Sequence, residues 1–153
     1  MDKPFQRIGS KSNAHVGSEF ELNASQFFQN QGIKLTSNFK IEVGVSKLKK
    51  EHAFDLGCAE QKILVECKAH TWTAGGHVPS AKLTVWNEAM YYFFTAPSDF
   101  RKILFVQYDF NARRNETLAE YYIRTYQHLI PDDVELWEYN ESTKFAFNRL
   151  SEG

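Results

Sequence analysis

The sequence predicts an α/β fold, a mixed central sheet flanked by helices. Three patterns carry that expectation. Apolar stripes at helical spacing begin at Val16, Val85 and Leu118; FKIEVGV alternates at a period of two; and Ile103 to Val106 is an unbroken apolar run. In order, Val16, Phe20, Ala24, Phe27 and Phe28 define a first helix that Gly32 can close. Phe39, Ile41, Val43 and Val45 then alternate with Lys40 and Glu42, the signature of a half-buried strand. After the polar SKLKKE come two further strands, around Ala53–Cys58 and Ile63–Ala69. TWTAGGH reads as a loop. Pro79-Ser80 starts a second helix, whose broad apolar face (Val85, Trp86, Ala89, Met90, Phe93) ends before Pro97. Ile103–Val106 has the character of a strand covered on both faces. Leu118, Tyr122, Tyr126 and Leu129 give a further helix stopped by Pro131, and VELWEY and TKFAF two short closing strands. The predicted order is α-β-β-β-α-β-α followed by β-β. Residues 1–13 lack periodicity and read as a flexible tail, leaving 14–153 as a single domain.

The 153 residues suffice for one core. With 42% apolar and 24% charged residues the composition is that of a folded globular domain. The net charge of −1 is not the footprint of a constitutively basic nucleic-acid binder, although a local basic patch or a bridging cation can serve the same purpose. Cys58 and Cys67 form neither a disulfide framework nor a C-x-x-C pair. MDKPFQRIGSKSN lacks the apolar run of a signal peptide, and no stretch approaches the roughly 18 apolar residues of a membrane span. A cytoplasmic, reduced protein with no membrane partner is the expectation.

The stretch FDLGCAEQKILVECKAH interrupts two apolar strands with Asp55, Glu66 and Lys68. Strand interiors are depleted in these residues, and a charge taken out of water is costly unless it is paired or holds a metal. On a strand Glu66 and Lys68 share a face while Val65, Cys67 and Ala69 point away. If the hairpin is symmetric about Glu60-Gln61, Asp55 lies opposite Glu66 and Ala53 opposite Lys68. Directly opposed residues have Cβ atoms about 4.5–5.5 Å apart. Two carboxylates so placed repel unless a cation lies between them, and hard oxygen donors suit Mg²⁺.

Asp55, ten intervening residues, then Glu66-Cys67-Lys68 resembles the D…(D/E)xK signature of the PD-(D/E)XK nuclease superfamily. The restriction-endonuclease-like core of that family is α-β-β-β-α-β, and the elements from about Val16 to Asp109 are expected in that order. Members often carry a glutamate on the first helix in a GxxFE setting, which Gly17-Ser18-Glu19-Phe20-Glu21 matches at Glu21. Phe54 precedes Asp55 where the signature has proline, and the family's Q-x-x-x-Y pair is only approximated by Asn87-x-x-x-Tyr91. The resemblance implies a divalent-metal-dependent endonuclease acting on DNA. Asp55 and Glu66 would hold Mg²⁺ or Mn²⁺, with the Cys67 carbonyl as a further ligand. Lys68 would orient the attacking water or stabilise charge on phosphorus, and Glu21 would assist the metal or position a second one. A homodimer would suit cleavage of two strands. The alternative is a non-catalytic nucleic-acid- or protein-binding module on the same fold, or an interaction domain in which Glu66 and Lys68 stand in water.

Other candidates carry blander readings beside the functional ones. Ser18-x-x-Glu21 has capping-box spacing, so Glu21 is either a site residue or a helix cap. Cys58, Cys67, His70 and His77 match no zinc module, and buried structural cysteine is the expectation. His52 and His70 lie near the signature as candidate phosphate or water contacts, or as spectators. Lys82, at the start of the second helix, is best placed to meet phosphate. Lys47, Lys49 and Lys50, and Arg113 and Arg114, are either solvated charge runs or further backbone contacts. The loop TWTAGGHVPS is expected to be the mobile segment that closes over or reads DNA.

Overall fold

The structure is a computed structural model that describes residues 13–150. The tail expected at residues 1–13 lies outside the described residues except for Asn13. Helix α1 spans Asn13–Gln29. It buries Phe20, Ala24 and Phe28 on the predicted stripe, with Phe27 beside them. Gly32 closes it at φ +82°, its N–H donating to the Gln29 carbonyl while that of Ile33 donates to Phe28. That left-handed turn is one glycine adopts without strain.

Strands β1 (Thr36–Val43), β2 (Lys50–Cys58) and β3 (Ile63–Lys68) follow, then α2 (Ser80–Thr95) and β4 (Arg101–Gln107). A two-residue pair, β5 (Phe110–Asn111) and β6 (Glu116–Thr117), precedes α3 (Leu118–Tyr126), which runs into a 3-10 turn at Gln127–Leu129. Strands β7 (Val134–Asn140) and β8 (Phe145–Asn148) complete the described chain. Six strands form one mixed sheet in the order β1-β2-β3-β4-β7-β8. The first three are antiparallel; β4 runs parallel to β3 and β7 parallel to β4, and β8 returns antiparallel to β7.

Each face of the sheet carries its own core. Beneath α1 lie Leu56, Val65, Ile103, Phe105 and Tyr139. Beneath α2 and α3 lie Phe54, Leu64, Leu104, Val106 and Leu136, with Trp86, Phe93 and Tyr122 of the helices. Strand β4 is buried on both faces, as its unbroken apolar run predicts for a central parallel strand. The α/β class, the mixed sheet and the predicted element order are present.

Three expectations need correction. Val45 lies beyond the end of β1 and is 66% exposed, because the chain has already left the sheet at Gly44, whose N–H bonds the Thr95 carbonyl at the end of α2. The β5–β6 hairpin falls where only a loop is expected, and two residues per strand are too few to register as periodicity. TWTAGGHVPS is tied down rather than open. The Trp72 N–H donates to Asp109 Oδ2 at 2.8 Å and its indole Nε1 to the Asp109 carbonyl at 3.0 Å, and the ring is buried.

Candidate active site

The β2–β3 ladder pairs Leu56 with Val65, Gly57 with Leu64 and Cys58 with Ile63. This is the register expected from the turn, and one further step sets Asp55 against Glu66. The backbone ladder stops before that step, so the expected pairing of Ala53 with Lys68 is not formed. In its place the two carboxylates satisfy the backbone donors. Glu66 Oε1 accepts the Asp55 N–H at 3.0 Å, and Asp55 Oδ2 accepts the Cys67 N–H at 2.8 Å. On the other side of β2, Asn38 stands opposite Asp55 with φ +54°, a left-handed conformation that asparagine tolerates. Phe54 belongs to the core beneath α2 and Leu56 to the core beneath α1, although residues two apart on a regular strand share a face. The strand therefore turns over at Asp55. A charged residue is accommodated there because both the alternation and the ladder are interrupted.

Lys68 Nζ lies 3.6 Å from Glu66 Oε2, with the two side chains 15% and 11% exposed. Burial and the neighbouring Asp55 anion push the Glu66 carboxyl up to about 7, against the opposing effect of Lys68 and the Asp55 N–H. Glu21 belongs to the same electrostatic group. Burial and then the charge of Asp55 raise its pKa, and Lys68 lowers it. The capping reading of Glu21 is overturned, since Ser18 and Glu21 both lie inside α1, which is already helical at Asn13.

The donor set can be tested against a divalent cation. Asp55 and Glu66 each give one oxygen to a backbone N–H and retain another, and their mutual repulsion is what a cation between them would relieve. The residues therefore fit a cation held by these two carboxylates together with solvent or phosphate oxygens. Among the described residues no three His, Cys, Asp or Glu side chains gather as a metal-holding group. The Cys67 side chain packs with the core beneath α1, and burial pushes its thiol well up, which leaves only its main chain to serve a metal.

A cleft of about 420 Å³ opens beside Lys68, between Val16 and Gly17 of α1 and Pro79, Lys82 and Val85 at the start of α2. Lys82 is exposed on its rim. His70 lines the same cleft, with Nδ1 accepting the Trp86 indole N–H at 3.0 Å. Burial, followed by the charges of Lys68 and Lys82, depresses His70 to about 4, so it is a neutral anchor for Trp86 near pH 7. His52 stacks on Tyr92 with ring centroids 3.7 Å apart and meets Phe54 edge-on.

The other sequence candidates disperse. Lys47, Lys49 and Lys50 sit in or beside the β1–β2 connection, which contacts the C-terminal end of α2, and Lys49 Nζ bonds the Gly44 carbonyl. Lys82 is at the opposite end of that helix, roughly 20 Å away at about 1.5 Å per residue. Arg113 and Arg114 lie at the β5–β6 turn, against the Trp72 loop. Asn87 accepts the Tyr122 hydroxyl at 2.7 Å, and Tyr91 is 59% exposed, so Asn87-x-x-x-Tyr91 forms no pair at the cleft. Asp109, which fixes the Trp72 loop, carries no signal in the sequence, because its partner is 37 positions away. Cys58 and Cys67 are free thiols. Among the described residues no helix is long and apolar enough to cross a membrane.

Compared with known proteins, the chain matches no family model, no curated protein and no solved structure.

Proposed function

We propose that the protein is a divalent-metal-dependent endonuclease of the restriction-endonuclease-like, PD-(D/E)XK type, hydrolysing phosphodiester bonds in DNA. The observation that carries this reading is the broken β2–β3 ladder, where Asp55 and Glu66 face each other with Lys68 beside Glu66. The element order α-β-β-β-α-β, with the three residues on its second and third strands, supports it.

Asp55 and Glu66 are the residues that would hold the metal, Mg²⁺ or Mn²⁺. When bound, such a cation polarises a phosphoryl oxygen and lowers the pKa of a coordinated water. The protein side supplies position and charge. The backbone N–H groups of Asp55 and Cys67 fix the carboxylates in orientation without neutralising them. Lys68 projects its ammonium beside Glu66 from a largely buried stem, where it can orient the attacking water and stabilise negative charge developing on phosphorus. Lys82, across the cleft, is placed to meet a neighbouring phosphate. Glu21 adds a third negative charge behind Asp55, favouring retention of the cation.

The test is incubation of the protein with supercoiled plasmid and with branched and single-stranded DNAs, in Mg²⁺, Mn²⁺ or EDTA, beside Lys68→Ala. Metal-dependent cutting lost in the variant is the expected result. A wild-type protein that neither cuts nor binds Mn²⁺ would overturn the proposal in favour of a binding module on this fold.

A further inference from the structure

A second cleft, of about 480 Å³, lies between the Thr73–Gly76 segment and the β5–β6 hairpin, with Trp72 and Asp109 also lining it. Thr73 lines both this cleft and the one beside Lys68, so the two share a border. Its volume falls within the roughly 300–1,000 Å³ typical of sites for small organic ligands.

The cleft is built rather than incidental. Trp72 is pinned to Asp109 by its backbone N–H, which donates to the carboxylate, and by its indole N–H, which donates to the main-chain carbonyl. The Gly76 carbonyl accepts both Asn111 Nδ2 at 3.3 Å and Arg114 Nε at 3.2 Å, fastening the glycine loop to the hairpin. The Arg114 guanidinium also lies 5.0 Å over the Trp72 ring. Gly76 has φ +75°, and a Cβ there would come within 3.1 Å of Asn111 Nδ2, so that part of the wall is bare backbone by necessity. Phe110, a large residue left 44% exposed at the edge of the hairpin, also lines the cleft. Arg113, also lining the cleft, is exposed, and its guanidinium makes no hydrogen bond or ion pair among the described residues.

A planar apolar ring, a bare backbone wall and an unneutralised guanidinium are complementary to a flat heteroaromatic group carrying a phosphate. We propose that this cleft receives an unpaired nucleobase of the substrate, stacked on Phe110, with its phosphate against Arg113. The inference rests on the nuclease reading and narrows its substrate class to DNA with a single-stranded or extruded nucleotide beside the scissile bond. A base inside an intact duplex is stacked on both sides and cannot reach a side-chain ring without leaving the helix. Base stacking on an aromatic side chain tolerates any sequence, so the site selects structure rather than sequence.

The test is a titration in EDTA of single-stranded oligonucleotides containing 2-aminopurine, beside the fully paired duplex of the same sequence. The fluorescent base should be quenched on binding in the single strand and not in the duplex. Phe110→Ala should remove the quench and weaken binding roughly tenfold, and Phe110→Trp should restore both. Arg113→Ala should weaken binding and flatten its salt dependence. Equal binding and quenching by wild type and Phe110→Ala, or equal quenching of the duplex, would overturn the inference. Because no cutting is needed, the nuclease reading is judged separately: Mg²⁺-dependent cutting with no effect at Phe110 removes only the base site. Quenching that depends on Phe110 but comes with no cutting removes only the nuclease.

Discussion

Two glutamates are buried in this sheet on the face beneath α2 and α3, and they keep opposite company. Glu138 of β7 is 1% exposed and Glu66 of β3 is 9% exposed. Glu138 Oε1 accepts Arg149 Nε at 2.7 Å, and that guanidinium also reaches Glu120 and lies over the Phe147 ring. Although Glu138 Oε2 makes no hydrogen bond among the described residues, its charge is answered at contact distance by a residue that cannot lose its proton. Glu66 has one backbone N–H and, as its only nearby countercharge among the described residues, an ammonium at 3.6 Å, with a second carboxylate, Asp55, beside it. A buried charge with a matched partner is how a fold tolerates an acid. One with a looser partner and a like-charged neighbour is an arrangement that a bound cation would balance, as the proposed function requires.

The comparison can be broken at several points, and the largest effects belong to Glu66. Lys68→Ala and Glu66→Gln should each lower metal-dependent cutting by about 10²–10³-fold, the range for losing one preorganised electrostatic contact to a transition state, through the phosphate for Lys68 and through the metal for Glu66, while thermal unfolding shows both variants folded. If Glu66→Gln cuts normally, the assignment of the two glutamates is wrong. Glu66 also sets a pH dependence of stability in EDTA. Its folded pKa is raised to about 7, so its contribution is full below about 4.5 and is lost as pH rises through about 7, at most about 3 kcal/mol. Glu66→Gln should remove that slope and leave the protein at least as stable as wild type at pH 8, as read by urea unfolding across pH. Glu138→Ala should do the reverse. Arg149 keeps Glu120 and part of its solvent contact, so losing the buried partner costs about 2 kcal/mol, a fall in Tm of roughly 4–8 °C, with cutting per folded molecule unchanged. The smallest change is expected at Glu21, where Gln should reduce cutting or Mn²⁺ affinity roughly tenfold, the range of residues that act from behind a metal's inner ligands. A full loss in Glu21→Gln would promote it to the inner set.

The unequal legibility of these parts has physical causes. The opposition of Asp55 and Glu66 could be read because both lie in one hairpin, whose turn and alternation fix the register within a few residues. Strand β4 declared itself through four apolar residues that must each find a core, Ile103 to Val106. Glu21 was ambiguous because the first turns of α1 present mostly polar residues, so its start at Asn13 leaves no apolar mark and Ser18 imitates a cap. The lysines at 47, 49 and 50 and at 82 all lie near the signature in sequence, yet α2 holds them at its two ends. The Trp72 loop looked free because glycines are all that local sequence shows there, whereas its tether, Asp109, arrives from beyond β4.

All three inner residues, Asp55, Glu66 and Lys68, are carried by a single antiparallel hairpin, while β3, β4 and β7 are joined by long parallel crossovers. Hairpins close in about 1–10 μs, whereas distant parallel pairings are intrinsically slower, and a hairpin alone is marginally stable. On the proposed function, the chemistry would be encoded in the fastest-forming part of the sheet and made rigid by the slowest. In pulse-labelled hydrogen exchange during refolding, the amides of Asp55 and Cys67 should be protected no later than those of β4, so that the geometry of the hairpin precedes the domain that shelters it.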